Sequence, residues 1–205
     1  MSRLEVAFDD VTIDQSLDIL KTSADLIDII EVGTLFIIKY GLEPIRRIRE
    51  LYPDKTILAD PKIMDAAPLI AKYCFEAGAD IVTVMGVSSE ATIKKVISTA
   101  AEYNKKVFID LLDVKDAAGR IAYFDSLGAD ILCLHSSKED SSVPFGDLET
   151  VRKISVRSDI AIAGGIDTST VGSVMKYDPD IVIVGSGVYR AKDPAAVIRS
   201  FKEQM

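Results

Sequence analysis

Histidine and cysteine are scarce in this chain, which has one histidine, two cysteines and no tryptophan among 205 residues. Cys74 and Cys133 lie in the apolar segments KYCFEAG and DILCLH, far apart and with no second cysteine at metal-ligand spacing. We expect both to be reduced core residues. The pattern argues against a disulfide framework and against a cysteine-ligated metal.

Long apolar runs and an excess of basic residues are also missing. No run approaches the ~20 apolar residues that a membrane span needs. The amino-terminal MSRLEVAFDD becomes charged before any apolar segment long enough for a signal core. The net charge of -8 repels nucleic-acid phosphate and anionic membrane surfaces. We therefore expect a cytoplasmic protein without a nucleic-acid or membrane partner.

No Pro/Gly/Ser-rich stretch divides the chain, so we predict a single domain over residues 1–205. Short Val/Ile/Leu runs alternate with segments of helical periodicity, and most are continuously apolar, as in parallel strands covered on both faces. Eight such units predict a (β/α)8 TIM barrel, with an open doubly wound sheet as the alternative. The predicted strands are LEVAFD, LIDIIE, TILAD, DIVTVMG, KVFIDL, DILCLH, DIAIAGG and DIVIVG.

Three helix-to-strand junctions resemble one another: EAGADIVTV, SLGADILCL and KYDPDIVIV. Each has Gly or Pro at the helix end, then Asp, then a strand. The similarity indicates a repeated structural unit.

Five predicted strands end on ionisable residues: Asp9, Glu31, Asp60, Asp110 and His135. In a barrel the carboxyl ends of all strands face one mouth, where the active sites of this fold lie. A single acid at a strand end is more often a helix cap or a solvated charge, and a solitary histidine is more often structural. The coincidence of five such ends favours an active site.

The last two predicted strands end on glycine instead, in the turns Gly164-Gly165 and Gly185-Ser186-Gly187. A single glycine pair would indicate only a tight turn. Glycine turns after the seventh and eighth strands, each followed by a helix, are the usual phosphate site of such barrels, because bare backbone N–H groups can approach an anion closely.

The segment DPKIMD places three charges at the end of the third predicted strand. Alternation along a strand puts Asp60 and Lys62 on one face. Pro61 implies that regular pairing has ended there, because proline cannot donate to the ladder. Asp65 has a structural interpretation as the N-cap of the next helix, with Pro68 in the first turn of that helix.

Carboxylates outnumber cations at the predicted mouth, where the five acids include Asp65 and only Lys62 opposes them. Such a site repels a phosphorylated substrate unless a cation is bound. Hard carboxylate ligands favour Mg²⁺.

These segments resemble the orotidine 5'-monophosphate decarboxylase suprafamily, and within it the 3-hexulose-6-phosphate synthase branch. The resemblance covers nearly the whole chain and is carried by DIIEVGT, YPDKTILADPKIMD, EAGADIVTVMGV, VFIDLLDVKD, AIAGGI and DIVIVG. It implies a (β/α)8 barrel that joins formaldehyde to ribulose 5-phosphate through a 1,2-enediolate, in a reversible aldol reaction.

The resemblance also implies roles for single residues. Glu31 and Asp60 would hold or orient Mg²⁺, Lys62 would stabilise an enediolate oxygen, and His135 would move protons. Asp65 would serve the site of a neighbouring subunit, in a homodimer with shared active sites. Asp9 and Asp110 complete the predicted catalytic set.

Two alternatives stay open. The related 3-keto-L-gulonate 6-phosphate decarboxylase reaches a similar enediolate by losing CO₂, although that branch tends to carry Glu where this chain has Asp110. The other alternative is a barrel that binds sugar phosphates without catalysing a reaction.

Several positions depart from both branches. The segment HSSKEDSSVPFGDL is shorter and richer in serine than its synthase counterpart, and Lys138 falls where the decarboxylase carries an arginine. Ser186 replaces another decarboxylase arginine, and Tyr189 and Arg190 stand where the synthase is uncharged. We expect Arg190 as a candidate charge partner for the substrate phosphate.

Overall fold

The computed structural model describes residues 2–137, 143–154 and 156–205. Eight parallel strands pair in chain order and close into a barrel, because β8 pairs with β1. The predicted (β/α)8 fold is therefore confirmed. The strands are β1 (Arg3–Phe8), β2 (Ile29–Val32), β3 (Thr56–Ile63), β4 (Ile81–Met85), β5 (Lys106–Asp110), β6 (Ile131–His135), β7 (Asp159–Ala163) and β8 (Ile181–Val184).

The helices pack their apolar faces on the outside of the barrel and form the main core with the outward-facing strand residues. The first helix begins with a reciprocal capping box between Thr12 and Gln15. The helices are α1 (Ile13–Ser23), α2 (Thr34–Tyr40), α3 (Glu43–Leu51), α4 (Ala67–Ala77), α5 (Glu90–Glu102), α6 (Ile121–Ser126), α7 (Phe145–Val151), α8 (Val171–Val174), α9 (Ser186–Tyr189) and α10 (Pro194–Gln204), with 3₁₀ turns at Ala24–Leu26, Ala118–Arg120 and Met175–Tyr177. No helix in the described ranges is both long and apolar enough to cross a membrane.

An aspartate precedes each even-numbered strand and makes two hydrogen bonds with one residue of the preceding odd-numbered strand. Its carboxylate accepts a backbone N–H, and its own backbone N–H donates to the carbonyl of the same residue. This is the physical basis of the repeated junction predicted from the sequence. The side-chain bonds run from Leu4 to Asp28 (2.7 Å), from Ile57 to Asp80 (2.9 Å), from Val107 to Asp130 (2.8 Å) and from Ile160 to Asp180 (2.7 Å).

The barrel interior is filled by layers of side chains from alternate strands, as the strand registers require. Apart from Glu5, the two lower layers are apolar, whereas polar residues accumulate toward the carboxyl ends of the strands. From the bottom upward the layers are Ile29, Ile81, Ile131 and Ile181; then Glu5, Leu58, Phe108 and Ala161; then Glu31, Thr83, Cys133 and Ile183; then Ala7, Asp60, Asp110 and Ala163.

Two predicted strand boundaries were wrong. The third strand does not end at Asp60 but continues to Ile63, because the pairing is interrupted around Pro61 and resumes there: Ala59 pairs with Val82 and Ile63 with Val84. The extra residues on β3 form a bulge, which accommodates a proline without an N–H. The second strand begins at Ile29, since Leu26 belongs to a 3₁₀ turn.

Both cysteines are free and buried, as predicted. Cys74 lies in α4 and belongs to the core between the helices and the barrel, whereas Cys133 lies inside the barrel. Lys138 and the next four residues of the serine-rich segment after β6 fall outside the described residues.

Candidate active site

Charged residues from three strands, β3, β5 and β6, meet at the carboxyl end of the barrel. The Nζ atom of Lys62 lies 2.8 Å from Oδ2 of Asp110 and 3.1 Å from Oδ2 of Asp60. Nδ1 of His135 lies 3.0 Å from both carboxylate oxygens of Asp110. The structure thus brings together four predicted site residues in one connected network.

Asp60 is fixed by two threonines that were not predicted as site residues. Thr34, the first residue of α2, donates to Oδ2 of Asp60 at 2.7 Å, and Thr83 from β4 donates to Oδ1 at 2.6 Å. The start of α2 and the neighbouring strand β4 therefore hold this buried carboxylate in one orientation. Thr83 could have been identified from the sequence, because alternate side chains of β4 point into the barrel and Thr83 is the only polar side chain in DIVTVMG after its leading Asp.

The bulge in β3 sets the position of Lys62. Its φ is +48°, in the left-handed region, and its backbone N–H donates to the Thr83 hydroxyl at 3.1 Å. Lys62 and Asp60 meet as predicted, but by this local distortion and not by regular strand alternation. Positive φ is unfavourable for a residue other than glycine, so the surrounding hydrogen bonds must hold Lys62 in this conformation.

The charges around Lys62 favour its protonated form. Burial alone would lower the pKa of Lys62, but the carboxylates of Asp60 and Asp110 outweigh this effect and raise the pKa above its ordinary value. Lys62 is therefore a fixed cation at neutral pH. It can stabilise negative charge but is unsuited to accept a proton.

Asp110 is only 2% exposed and remains ionised. Burial alone would raise the pKa of Asp110, but hydrogen bonds and charges from His135 and Lys62 hold the pKa well below its usual range. Its Oδ1 also accepts the backbone N–H of Leu112 at 2.9 Å. Because an ionised carboxylate can only accept, Nδ1 of His135 must carry a hydrogen, which leaves Nε2 free to take up a proton.

Glu31 lies inside the barrel below Asp60, and a second glutamate lies beneath it. Glu5 is fully buried one layer below Glu31, and neither of its carboxylate oxygens has a hydrogen-bond partner in the described part of the chain. Burial raises the pKa of Glu5 to about 8, and burial together with the negative charge of Glu5 raises the pKa of Glu31 well above its usual value. Glu5 was missed, although a glutamate at an inward position of the apolar strand LEVAFD was a signal for it.

The raised pKa of Glu5 predicts a pH-dependent stability for the metal-free protein. The folded state keeps a proton up to about pH 8, whereas the unfolded chain releases it near 4.5. The stabilisation is therefore complete below about pH 4.5 and is lost as the pH rises toward 8. Melting temperatures in EDTA should fall between pH 5 and 8.5, and less steeply for Glu5→Gln. Equal slopes for the two proteins would contradict this assignment.

Asp9 and Asp65 take different places at the rim. Oδ1 of Asp9 accepts the backbone N–H of Leu35 at 3.4 Å, beside the start of α2. This contact requires glycine at position 33, because a Cβ atom there would lie 2.4 Å from Oδ1 of Asp9. Asp65 is exposed and is not a helix cap, since the cap of α4 is Ala66. The structural interpretation of Asp65 was therefore wrong, whereas Pro68 does lie in the first turn.

The two glycine turns lie at the ends of β7 and β8. Gly164 and Gly165 both have positive φ, and a Cβ atom on Gly164 would lie 2.6 Å from the carbonyl oxygen of Ser136. Gly185 precedes α9, whose first residues are Ser186 and Gly187. A Cβ atom on Gly187 would have open space around it within the described part of the chain. Close packing therefore explains the glycine at position 164, whereas no packing contact in the described residues requires a glycine at position 187.

Arg190 does not lie at the start of this turn. It follows the last residue of α9, is 68% exposed at its side chain and approaches Asp10 at 3.7 Å. An exposed pair of this kind contributes little to stability. The guanidinium group is therefore exposed and only loosely paired with an acid.

Comparison with known proteins assigns the family. The model of the Orotidine 5'-phosphate decarboxylase / HUMPS family matches residues 2–201. The chain belongs to this family. A 3-hexulose-6-phosphate synthase from Bacillus subtilis is 36% identical over 203 residues, which cover 98% of the chain and 97% of that protein. Like its relatives, this OMP decarboxylase/HUMPS-family chain is an enzyme of the lyase class.

Solved structures of the family superimpose closely on the chain. The 3-hexulose-6-phosphate synthase from Salmonella typhimurium has a TM-score of 0.94 at 38% identity, covering 98% of this chain and 97% of that one. A KGPDC from Streptococcus mutans has a TM-score of 0.90 at 26% identity, covering 99% of this chain and 96% of that one. Both branches expected from the sequence therefore have structural counterparts.

Proposed function

We propose that the chain catalyses the aldol condensation of formaldehyde with ribulose 5-phosphate to a 3-hexulose 6-phosphate. The observation that carries the proposal is the Lys62–Asp110–His135 network, in which one ionised carboxylate holds a fixed cation and a proton acceptor side by side. The synthases at 36–38% identity support this choice over the decarboxylase at 26%.

The network suits the two steps of this reaction. Nε2 of His135 removes a proton from C1 of ribulose 5-phosphate, and the electron pair of the broken C–H bond forms the enediolate. Lys62 stabilises the oxygen on which negative charge develops. The enediolate carbon then attacks formaldehyde, and the new alkoxide takes the proton from Nε2 of His135, which returns the histidine to its neutral form. Asp110 keeps Nδ1 of His135 protonated throughout and thus fixes the acceptor nitrogen.

We also propose that Glu31 and Asp60 hold Mg²⁺. Within the described ranges no three His, Cys, Asp or Glu side chains converge on a metal position. This arrangement is compatible with Mg²⁺, which typically uses one or two carboxylates with water and substrate oxygens. The repulsion that Glu5, Asp60 and Asp9 exert on a charged Glu31 is a second point in favour, since a cation would relieve it. When bound, Mg²⁺ would polarise the substrate carbonyl group.

The substrate phosphate is assigned to backbone N–H groups near Gly165 and Gly187. Positive φ at Gly164 and Gly165 turns the chain sharply after β7, and only Gly185 separates β8 from α9, whose first N–H groups have no carbonyl partner within the helix. Arg190 is the less favoured contact, because it lies beyond α9 and beside Asp10.

A substrate comparison tests the proposed reaction. With Mg²⁺ in D₂O, ribulose 5-phosphate should exchange a C1 proton without formaldehyde and yield a 3-hexulose 6-phosphate with it, as followed by NMR. Excess EDTA should stop both. Faster turnover of 3-keto-L-gulonate 6-phosphate would assign the chain to the decarboxylase branch. Mg²⁺-dependent binding of ribulose 5-phosphate without turnover would indicate a non-catalytic barrel.

We further propose a homodimer in which Asp65 completes the site of the partner. Exposed apolar side chains lie on α2, on α4 and between β3 and α4, next to Asp65 in sequence, and Ile38 is 75% exposed. A partner that covered them would remove exposed apolar area from water. The residues are Leu35, Ile38, Met64, Leu69 and Tyr73.

Shared sites predict complementation between two inactive variants. A mixed dimer of Lys62→Ala and Asp65→Ala chains has one site with both residues intact and one with neither. Random exchange makes half of the dimers mixed, so about a quarter of wild-type activity should return. Subunit exchange is verified by native mass spectrometry with one chain isotopically labelled. Proven exchange without recovered activity would refute the shared site.

A further inference from the structure

Thr83 is the residue of β4 that lies opposite the bulge of β3. The regular pairing of β3 with β4 stops after Ala59 and resumes at Ile63, so Thr83 faces three residues of β3. Regular pairing cannot continue between these points, because Pro61 has no N–H and the extra residues displace the ladder. The backbone N–H of Lys62 finds its acceptor in the side chain of Thr83 instead.

The Thr83 hydroxyl group joins the two charged residues of the bulge. It accepts the backbone N–H of Lys62 at 3.1 Å and donates to Oδ1 of Asp60 at 2.6 Å. The direction of both hydrogen bonds is fixed, since a backbone N–H can only donate and leaves the hydroxyl hydrogen for the carboxylate. Thr83 is 2% exposed, so bulk water has little access to either bond.

Both partners would lose an orienting contact without this hydroxyl group. Positive φ is unfavourable for Lys62, so relaxation toward an extended conformation would move its Nζ atom away from Asp60 and Asp110, which lie at 3.1 and 2.8 Å. The carboxylate of Asp60 would keep the hydroxyl of Thr34 on Oδ2 but lose its short hydrogen bond on Oδ1. One hydroxyl group thus sets the places of a cation and a carboxylate.

We propose that Thr83 is a positioning residue, whose hydroxyl group fixes Lys62 and Asp60 relative to each other. The inference rests on the proposed function, in which Lys62 stabilises the enediolate and Asp60 holds Mg²⁺. Thr83 lies one layer below the mouth and acts through these two residues. Because Lys62 acts on charge that develops in the transition state, its displacement should lower kcat and leave KM nearly unchanged.

Substitutions of Thr83 separate its hydroxyl group from the shape of the side chain. Thr83→Val keeps the shape without a hydroxyl group, whereas Thr83→Ser keeps the hydroxyl group. In the condensation assay, Thr83→Val should lower kcat about 10–100-fold with KM within about threefold of the wild type, and Thr83→Ser should stay within about threefold in both. Thr99→Val is the matched control and should leave kcat unchanged, because Thr99 is also buried and its hydroxyl group donates to a carbonyl of its own helix, α5.

Two further measurements do not depend on turnover. In Thr83→Val, the Lys62 amide should exchange with D₂O roughly tenfold faster than in the wild type, as followed by NMR, since it has lost its acceptor. Metal-free Thr83→Val should bind Mn²⁺, a stand-in for Mg²⁺, roughly 10–100-fold more weakly, with free Mn²⁺ measured by electron paramagnetic resonance. Thr83→Ser should match the wild type in both. Thr83→Ala, a second variant without the hydroxyl group, takes the place of Thr83→Val if that variant does not fold.

The outcomes distinguish this inference from the proposed function. Wild-type kcat in Thr83→Val, or equal losses in Thr83→Val and Thr83→Ser, would overturn the inference alone. Unchanged Lys62 exchange or unchanged Mn²⁺ affinity in Thr83→Val would also overturn it, because one of the two residues would then not depend on the hydroxyl group. If the wild type turns over 3-keto-L-gulonate 6-phosphate instead, the proposed reaction fails and the same comparison with that substrate decides the inference. A wild type that turns over neither sugar phosphate would refute both together.

Discussion

Replacing His135 by Asn is expected to lower the rate of condensation by ~10²–10⁴-fold, the usual cost of removing a general base. Asn retains an N–H that can donate to Asp110 but has no nitrogen able to accept the C1 proton. Neither Lys62 nor Asp110 can replace His135: Lys62 remains protonated, and the hydrogen bonds and charges of His135 and Lys62 hold the pKa of Asp110 well below its usual range, so its carboxylate is a weak base.

The measurement is solvent-deuterium exchange at C1 of ribulose 5-phosphate, with and without formaldehyde. Both exchange and condensation should fall together, while Mn²⁺ affinity remains that of the wild type. Exchange that persists at the wild-type rate in His135→Asn would remove the histidine from this role. Loss of condensation with normal exchange would place His135 in the second step only.

Replacing Lys62 by Met is expected to affect both activity and stability. The loss of an oxyanion-stabilising cation should lower kcat by roughly 10²–10³-fold. The free energy of unfolding should fall by about 3 kcal/mol, the lower end of the cost of breaking a buried ion pair. We choose the lower end because the Lys62 side chain is 28% exposed and His135 still contacts Asp110.

The double variant Lys62→Met/Asp110→Asn separates the two effects. Asn at position 110 removes one of the two carboxylates that the single variant leaves without their cation, while Asp60 remains, so stability measured by urea unfolding should return in part. Activity should not return, since the catalytic cation is still missing and His135 has lost its ionised acceptor. Recovery of activity in the double variant would show that Lys62 acts only by balancing the charge of Asp110.

Sequence patterns were sufficient for the barrel but not for its local distortions. Continuous apolar runs predicted all eight strands, because both faces of a parallel barrel strand are covered. The bulge at Pro61 was only half anticipated: proline predicted the interrupted pairing, but nothing in the chain indicates that pairing resumes at Ile63. That resumption depends on β4, which is distant in sequence.

Site residues could be predicted where a strand ends on a charged side chain. Residues that contact the site from a neighbouring helix or from a lower layer of the barrel were missed. Charged side chains at the ends of apolar runs call for a structural or functional explanation. This signal identified Asp60, Lys62, Asp110 and His135. Thr34 was missed because a threonine at the start of a helix has an ordinary local explanation. Its contact with Asp60 exists only once α2 and β3 are packed together.

The four aspartates that precede the even strands divide the barrel into four two-stranded segments, each fastened within itself by a side chain. The polar residues of the mouth follow the same division. The first segment contributes Glu5 and Glu31, the second Asp60 and Lys62, the third Asp110 and His135, and the fourth the two glycine turns. No segment alone contains an ion pair between Lys62 and Asp110, because that pair crosses from the second segment to the third. The chemistry of the mouth therefore arises only when neighbouring segments dock, and Asp60 depends on the first segment as well, because Thr34 follows β2.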